Sequence, residues 1–181
     1  MPTVITHSIV SGLLGKTIKW EQSKRVTVCS VLCGSLPDLD VIGRHFGVAY
    51  LDHWGHRGLS HSVAAALVVG LILSHLCSER GAWRRTGWTL YFATLTSTHG
   101  LLDMLTNGGH GVAILGPWSH KRHFFPDLWR VIEVSPFSYR RFTWERLSPV
   151  FESELIWIIS PTLTLFLIRA MIARVQRPEE Q

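Results

Sequence analysis

The stretch His56-Arg57-Gly58-Leu59-Ser60-His61-Ser62 decides how this chain is read. It sets two imidazoles, a guanidinium and two hydroxyls directly against an uninterrupted apolar run, Val63 to Leu73. Polar groups at the mouth of an apolar helix cost free energy unless each finds a partner. Two further stretches repeat the arrangement. Pro37-Asp38-Leu39-Asp40 closes the apolar run Val26 to Leu36, and His99 with Asp103 closes the run Thr86 to Leu102.

Working outward, Val4 to Gly15 is apolar apart from His7 and small hydroxyl residues, and Gly12 and Gly15 allow a close helix neighbour. A basic connector follows, with Lys16, Lys19, Lys24 and Arg25, and the second helix is expected to stop at Pro37. Residues 41 to 61 read as a loop punctuated by glycines, with Ser60 or Ser62 available to cap the next helix. Ser62 to Ser78 and Thr86 to Leu102 are uncharged and read as membrane spans. Between them lies the connector Glu79 to Arg85 with Trp83, and Trp88, Tyr91 and Phe92 open the second span as a headgroup belt would. The first two blocks fall short of the roughly 20 apolar residues of a span, so they read as buried, re-entrant or tilted helices. Residues 106 to 152 form a long polar region rich in glycine, proline and aromatics, of a size that usually serves function. Leu155 to Leu167 is the last apolar block, extendable to Val175 if Arg169 snorkels. The expected architecture is all-α: one domain, residues 1–181, a multi-pass membrane bundle of about five helices, with a site at one end under the loop 106–152.

Composition sets bounds on this reading. A chain of 181 residues suits one domain, and its 46 % hydrophobic content is ordinary; the clustering of the apolar residues is what matters. The net charge of +5 suits an anionic partner, and equally the flanks of membrane segments. Cys29, Cys33 and Cys77 all sit in apolar blocks, as small buried hydrophobes do, and form no disulfide framework. No cleavable leader is expected, because Val4 to Gly15 has neither a basic region before it nor a cleavage site after it. Ten histidines are the anomaly.

If consecutive helices run antiparallel, His7 starts the first and Asp38 and Asp40 end the second. His56 and His61 start the third, and His99 and Asp103 end the fourth. All then fall on one side of the bundle, with the basic connectors on the other. The positive-inside tendency makes the connectors cytoplasmic and turns the polar side outward. His99 and Asp103, four apart, share a helix face. Asp38 and Asp40 follow a helix C-terminus, where negative charge is unfavourable, so capping does not explain them. His56 and His61 flank Gly58 in a loop folding back on the site, and Arg57 suits an anionic oxygen. Each motif has a plainer reading: a hydrogen-bonded His–Asp pair, a solvated loop, an interfacial anchor. One divalent-metal centre of one or two ions joins them all, with His7, Asp38, Asp40, His56, His61, His99 and Asp103 as ligands. Mixed nitrogen and oxygen donors favour zinc, with manganese or iron as alternatives. Such a centre activates water for attack on an ester. Asp40 can serve instead as general base, and Arg57 can hold the substrate's phosphate. His45, His53, His75 and His110 read as structural. His120 and His123, with Lys121 and Arg122, read as further ligands or an anion-binding rim. No nucleophile elbow, Walker loop or dinucleotide glycine motif competes.

Thr6-His7, Pro37-Asp38-Leu39-Asp40, His56 to Ser62 and His99-Gly100-Leu101-Leu102-Asp103 together resemble the YdjM family. Leu105 to Val112, Phe124-Phe125-Pro126 and Glu133-Val134-Ser135-Pro136 extend the likeness over nearly the whole chain. The resemblance implies a bacterial inner-membrane protein of a group regarded as metal-dependent hydrolases, with a LexA link for its founding member. The order of motifs is also distantly similar to the all-α zinc-dependent phospholipase C and single-strand nuclease group. This chain lacks that group's second His-x3-Glu pair and its N-terminal tryptophan, so one or two ions are expected rather than three. The function expected is hydrolysis of a phosphoester, a lipid or lipid-linked headgroup, at the outer face of the inner membrane. Membrane lipid and an anionic phosphoester are the expected partners, and nucleic acid is not. The rival is a non-catalytic inner-membrane protein with a structural metal or a docking site. An ion carrier is disfavoured, because the ligands gather at one side instead of lining a path.

Overall fold

Thr3 holds an extended backbone while its hydroxyl accepts the Thr6 N–H, and this cap starts helix α1 (Val4–Ile18). Ser23 caps α2 (Lys24–Ser35) in the same way. The computed structural model describes residues 2–77, 82–134 and 143–176. Part of the Glu79 to Arg85 connector, Ser135-Pro136, Tyr139-Arg140-Arg141 and Arg177 lie outside the described residues.

The second helix does not stop at Pro37, contrary to the sequence expectation. Pro37 takes one of the first positions of a 3₁₀ helix, Leu36–Phe46, that continues α2. Proline lacks only an N–H that is unpaired there anyway, so it extends the rod. Part of the expected loop 41–61 is therefore helical, and Gly47, at φ 82°, ends the rod in the left-handed conformation. A short turn, Leu59–His61, precedes α3 (Val63–Cys77), which Ser62 caps by accepting the Ala65 N–H at 3.1 Å. Then comes α4 (Ala82–Met104).

A second correction concerns the loop 106–152. Helix α5 (Trp144–Glu154) lies inside it and runs through a π turn, Leu155–Ile159, into α6 (Ser160–Val175). Pro149 removes one backbone hydrogen bond without ending the helix, because Val150, Ser153 and Glu154 are buried on its inner face. The remaining loop up to residue 134 holds two isolated bridges, Thr106 with Ile132 and Val112 with His123; no strand forms among the described residues. The fold is all-α, with five helical rods.

α1 packs along α2, α3 along α4, α2 against α4, and α6 against α1. Close approach rests on glycine. A Cβ at Gly34 would stand 2.2 Å from the His7 carbonyl oxygen, and one at Gly70 would stand 2.4 Å from that of Thr89. The inner faces carry small and hydroxyl residues such as Ser11, Ser30, Ser74, Thr96 and Thr162 beside Cys33, Phe92 and Leu95. Large apolar residues point outward instead: Val28 and Leu32 on α2, Leu67, Leu71 and Ile72 on α3, Leu163, Leu167 and Ile168 on α6. That distribution suits helices packed in lipid, where small residues make the interfaces.

Two rods, Lys24–Phe46 and Trp144–Val175, are long and apolar enough to cross a bilayer by length and composition. The apolar helices α1 and α3 have 15 residues each, about 22 Å of rise against a hydrocarbon core of roughly 30 Å. The sequence had placed the spans elsewhere, at 62–78 and 86–102.

Candidate metal centre

The antiparallel rods bring the polar helix ends together. α1 contributes His7, the 3₁₀ helix after α2 contributes Asp38, the turn before α3 contributes His61, and α4 contributes His99 and Asp103. All five are buried. His61 Nε2 and His99 Nε2 stand 3.0 Å apart. Asp38 Oδ1 lies 3.4 Å from His99 Nε2 and 3.6 Å from His61 Nε2. Asp103 Oδ2 lies 3.4 Å from His61 Nε2, and its Oδ1 3.4 Å from His7 Nε2. Donors held about 2.0–2.2 Å from one ion stand roughly 3.0–3.5 Å from each other, so this spacing is that of a coordination sphere.

The tautomers agree. His99 Nδ1 donates to the Gly34 carbonyl at 2.7 Å, which leaves its Nε2 lone pair facing the cluster. His61 Nδ1 faces Ser60 Oγ at 2.9 Å and Asp40 Oδ2 at 3.2 Å, so its Nε2 also turns inward. Two imidazole lone pairs 3.0 Å apart repel unless a proton or a cation lies between them. Burial pulls the His61 pKa down, but the carboxylates of Asp103, Asp38 and Asp40 overcome it and hold the value well above the ordinary 6.5. The site thus draws positive charge. Both carboxylate oxygens of Asp38 and of Asp103, and both ring nitrogens of His7, are buried without a hydrogen-bond partner. A divalent cation satisfies them together, and three overlapping ligand groups fit it: His7, Asp38 and His99; His61, His99 and Asp103; Asp38, His56 and His61.

Asp40 stands behind the histidines. Its Oδ1 accepts from His56 Nδ1 at 2.8 Å, and its Oδ2 accepts from Ser60 Oγ at 2.5 Å and from the Arg57 backbone N–H at 3.3 Å. It orients His56 and His61 and raises their basicity, as carboxylates behind metal-bound imidazoles do. His56 Nδ1 is 4.0 Å from Asp38 Oδ1, at the edge of the cluster.

Arg57 is 1 % exposed and adopts φ 63°. Its Nε lies 3.1 Å from Asp103 Oδ2, Nη1 donates to the Gly108 carbonyl at 3.3 Å, and Nη2 donates to Thr106 Oγ1 at 3.1 Å. The guanidinium ties Asp103 to the Thr106-Asn107-Gly108-Gly109 turn. Gly109, at φ 90°, lies so near Nη1 that a Cβ would approach within 2.8 Å.

Several residues that shape the site carried no legible role in the sequence. Gly34 supplies both the close approach to His7 and the carbonyl that orients His99. Ser60 links Asp40 to His61. Arg122 donates to the carbonyls of His56 at 3.0 Å and Tyr50 at 3.0 Å, pinning the 50–56 loop, a role a basic run does not announce. His120 stacks on His53 at 3.5 Å, beside a cavity of about 240 Å³ lined by both, and His123 pairs through its backbone with Val112; none of the three joins the converging donors. His75 turns back to the Leu71 carbonyl of its own helix, and His110 lies edge-on to Tyr50.

Comparison with known proteins adds the family. The model of the YdjM inner membrane proteins matches residues 1–175. The inner membrane protein YbcI of Escherichia coli (strain K12) is 42 % identical over 175 residues, covering 91 % of this chain and 95 % of that protein. No solved structure matches. The likeness runs through every segment that brings a donor to the cluster, and the chain belongs to the YdjM family of inner membrane proteins.

Proposed function

We propose that this protein is a multi-pass inner-membrane, metal-dependent hydrolase of a phosphoester, a lipid or lipid-linked headgroup, with its centre at the outer face. The observation that carries the metal is the pair of inward Nε2 lone pairs of His61 and His99, 3.0 Å apart between two unpaired buried carboxylates. His7, Asp38, His61, His99 and Asp103 would hold the ion or ions, zinc before manganese or iron, with His56 at the margin. A bound divalent ion supplies Lewis acidity, lowering the pKa of water and stabilising the charge that develops on the ester oxygens. The chain's own residues do the rest. Asp40 holds the His56 and His61 rings in their tautomers and is the carboxylate nearest to hand for a proton. Arg57 fixes Asp103 and places a permanent positive charge beside the centre, where an anionic ester gains from it.

Complete burial of the donors favours a second reading, a structural metal, because structural sites are closed and catalytic sites keep a position open. One experiment separates the two. Zinc-loaded protein in detergent is tested against phosphomonoester and phosphodiester headgroups, with Asp103→Asn beside it. The hydrolase reading expects turnover that falls at least about a hundredfold in the folded variant, as when a group acting in the transition state is lost. Full activity in Asp103→Asn refutes the assignment. Absence of turnover together with unfolding on metal removal establishes the structural metal.

A further inference from the structure

The rod formed by α5, the π turn and α6 brings no donor to the cluster, yet it carries a buried carboxylate. Glu154, at the junction of α5 with the π turn, is 1 % exposed. Its Oε1 accepts the Thr3 backbone N–H at 2.5 Å, and its Oε2 accepts the hydroxyls of Thr3 at 2.9 Å and Thr6 at 2.6 Å. An ionisable side chain in a rod apolar enough to span a bilayer is costly and marks function by default. The partner is the first turn of α1, where unpaired N–H groups and the positive end of the helix dipole favour an anion. The π turn that follows is of the kind that recurs at functional sites, and Ser160 Oγ donates to the Leu155 carbonyl within it at 2.6 Å.

Thr6 immediately precedes His7. The other contacts of His7 are its ring stacked on His99, at 3.7 Å and 19°, and its backbone pressed against Gly34. Ring stacking and a glycine groove both tolerate sliding along the helix axis. A slip of one residue moves a helix by about 1.5 Å and turns it about 100°, which would carry His7 Nε2 away from Asp103 Oδ1. Only directional bonds at the end of α1 resist that slip, and Glu154 supplies three of them.

We propose that Glu154 is a positioning residue of the metal centre: it locks the register of α1 so that His7 meets Asp103 and His99, tying the last rod to the metal. This rests on the metal reading above. The test measures zinc affinity by chelator competition and cobalt(II) absorption on the full chain in detergent. The variants are Glu154→Ala, Glu154→Gln, Thr6→Val, His7→Ala and the Glu154→Ala/His7→Ala double. Glu154→Ala is expected to weaken zinc at least about tenfold and to give the cobalt spectrum of His7→Ala. Glu154→Gln, which keeps an acceptor for Thr3 N–H, should restore affinity to within about threefold of the wild type. The double variant should bind no worse than His7→Ala alone, because the effect runs through His7. A folded Glu154→Ala with wild-type affinity and spectrum overturns the proposal, as does a double variant in which the two losses add. If Glu154→Ala does not fold, Thr6→Val decides. It should weaken zinc in the wild-type background and change nothing beside His7→Ala, and an unchanged affinity overturns the idea. Unmutated protein that takes up neither metal defeats the metal centre itself, a failure visible before any variant is compared.

Discussion

Gly34→Ala is the sharpest perturbation that leaves every donor in place. Its new Cβ would stand 2.2 Å from the His7 carbonyl oxygen, 2.5 Å from the His7 carbonyl carbon and 2.9 Å from Ser8 Cα, whereas ordinary contact begins at 3.4 Å. Backbone cannot rotate away as a side chain does, so α1 must retreat by about 1 Å. Overpacking costs about 1–3 kcal/mol, and a clash of backbone on Cβ belongs at the upper end. The retreat lifts His7 from His99 and disturbs the Gly34 carbonyl that orients His99, so zinc affinity should fall at least tenfold, a loss of about 1.4 kcal/mol or more. Two glycines calibrate the result. Gly70→Ala presses on the Thr89 carbonyl at 2.4 Å and the Ala93 nitrogen at 2.8 Å, between α3 and α4. It should cost similar stability and leave affinity nearly unchanged. Gly87→Ala meets nothing within 4 Å on α4, and should be neutral or stabilising by about 0.5–1 kcal/mol. Thermal unfolding in detergent and chelator competition read both quantities. Wild-type affinity in Gly34→Ala, or an equal loss in Gly70→Ala, would refute the argument that α1 is seated on Gly34 for the sake of the centre.

Three further outcomes follow from the geometry. Asp40→Asn keeps the donors but removes the carboxylate behind His56 and His61, so zinc affinity should drop about 10–100-fold with little change in fold; an unchanged Kd would place Asp40 outside the centre. Arg57→Met breaks a buried pair with Asp103 and should cost about 3–5 kcal/mol, with faster proteolysis at the 106–109 turn. Unchanged stability with a raised KM would make Arg57 a phosphate clamp instead. His61 is held above its ordinary value of 6.5 in the metal-free protein, where its proton adds stability below that value that is lost as the pH rises through the raised one. Metal-free protein should therefore lose Tm as the pH climbs above neutral, and metal uptake at neutral pH should release a proton, seen as a binding enthalpy that varies with the buffer.

The donor set was legible because spacing and position along the chain carry it. His99 and Asp103 at i, i+4 must share a face, and alternation of helix starts and ends puts His7, Asp38 and His61 on the same side without further assumption. What the sequence hid falls into three kinds. Pro37 and Pro149 read as breaks, since a pattern does not say whether a proline's missing N–H was needed; at the start of a 3₁₀ continuation it was not, and in α5 burial of the inner face outweighs it. Gly34, Arg122 and Glu154 act through partners far along the chain, 65 residues for the Gly34 carbonyl with His99 and 151 for Glu154 with Thr3, and no local signal reports such pairings. Asp40 and Arg57 were read as chemical agents from their types, whereas the structure shows what each already holds: two histidines for one, Asp103 and a glycine turn for the other.

The measurement that bears most directly on the central claim is the metal content of detergent-purified protein, wild type beside His99→Ala/Asp103→Ala, after incubation with zinc, manganese or iron(II) and removal of free ion. The account predicts one or two ions per chain in the wild type and none in the variant, with X-ray absorption showing nitrogen and oxygen ligands near 2.0–2.2 Å. Wild-type protein that remains metal-free under those conditions, or a folded variant that retains its ions, would contradict it.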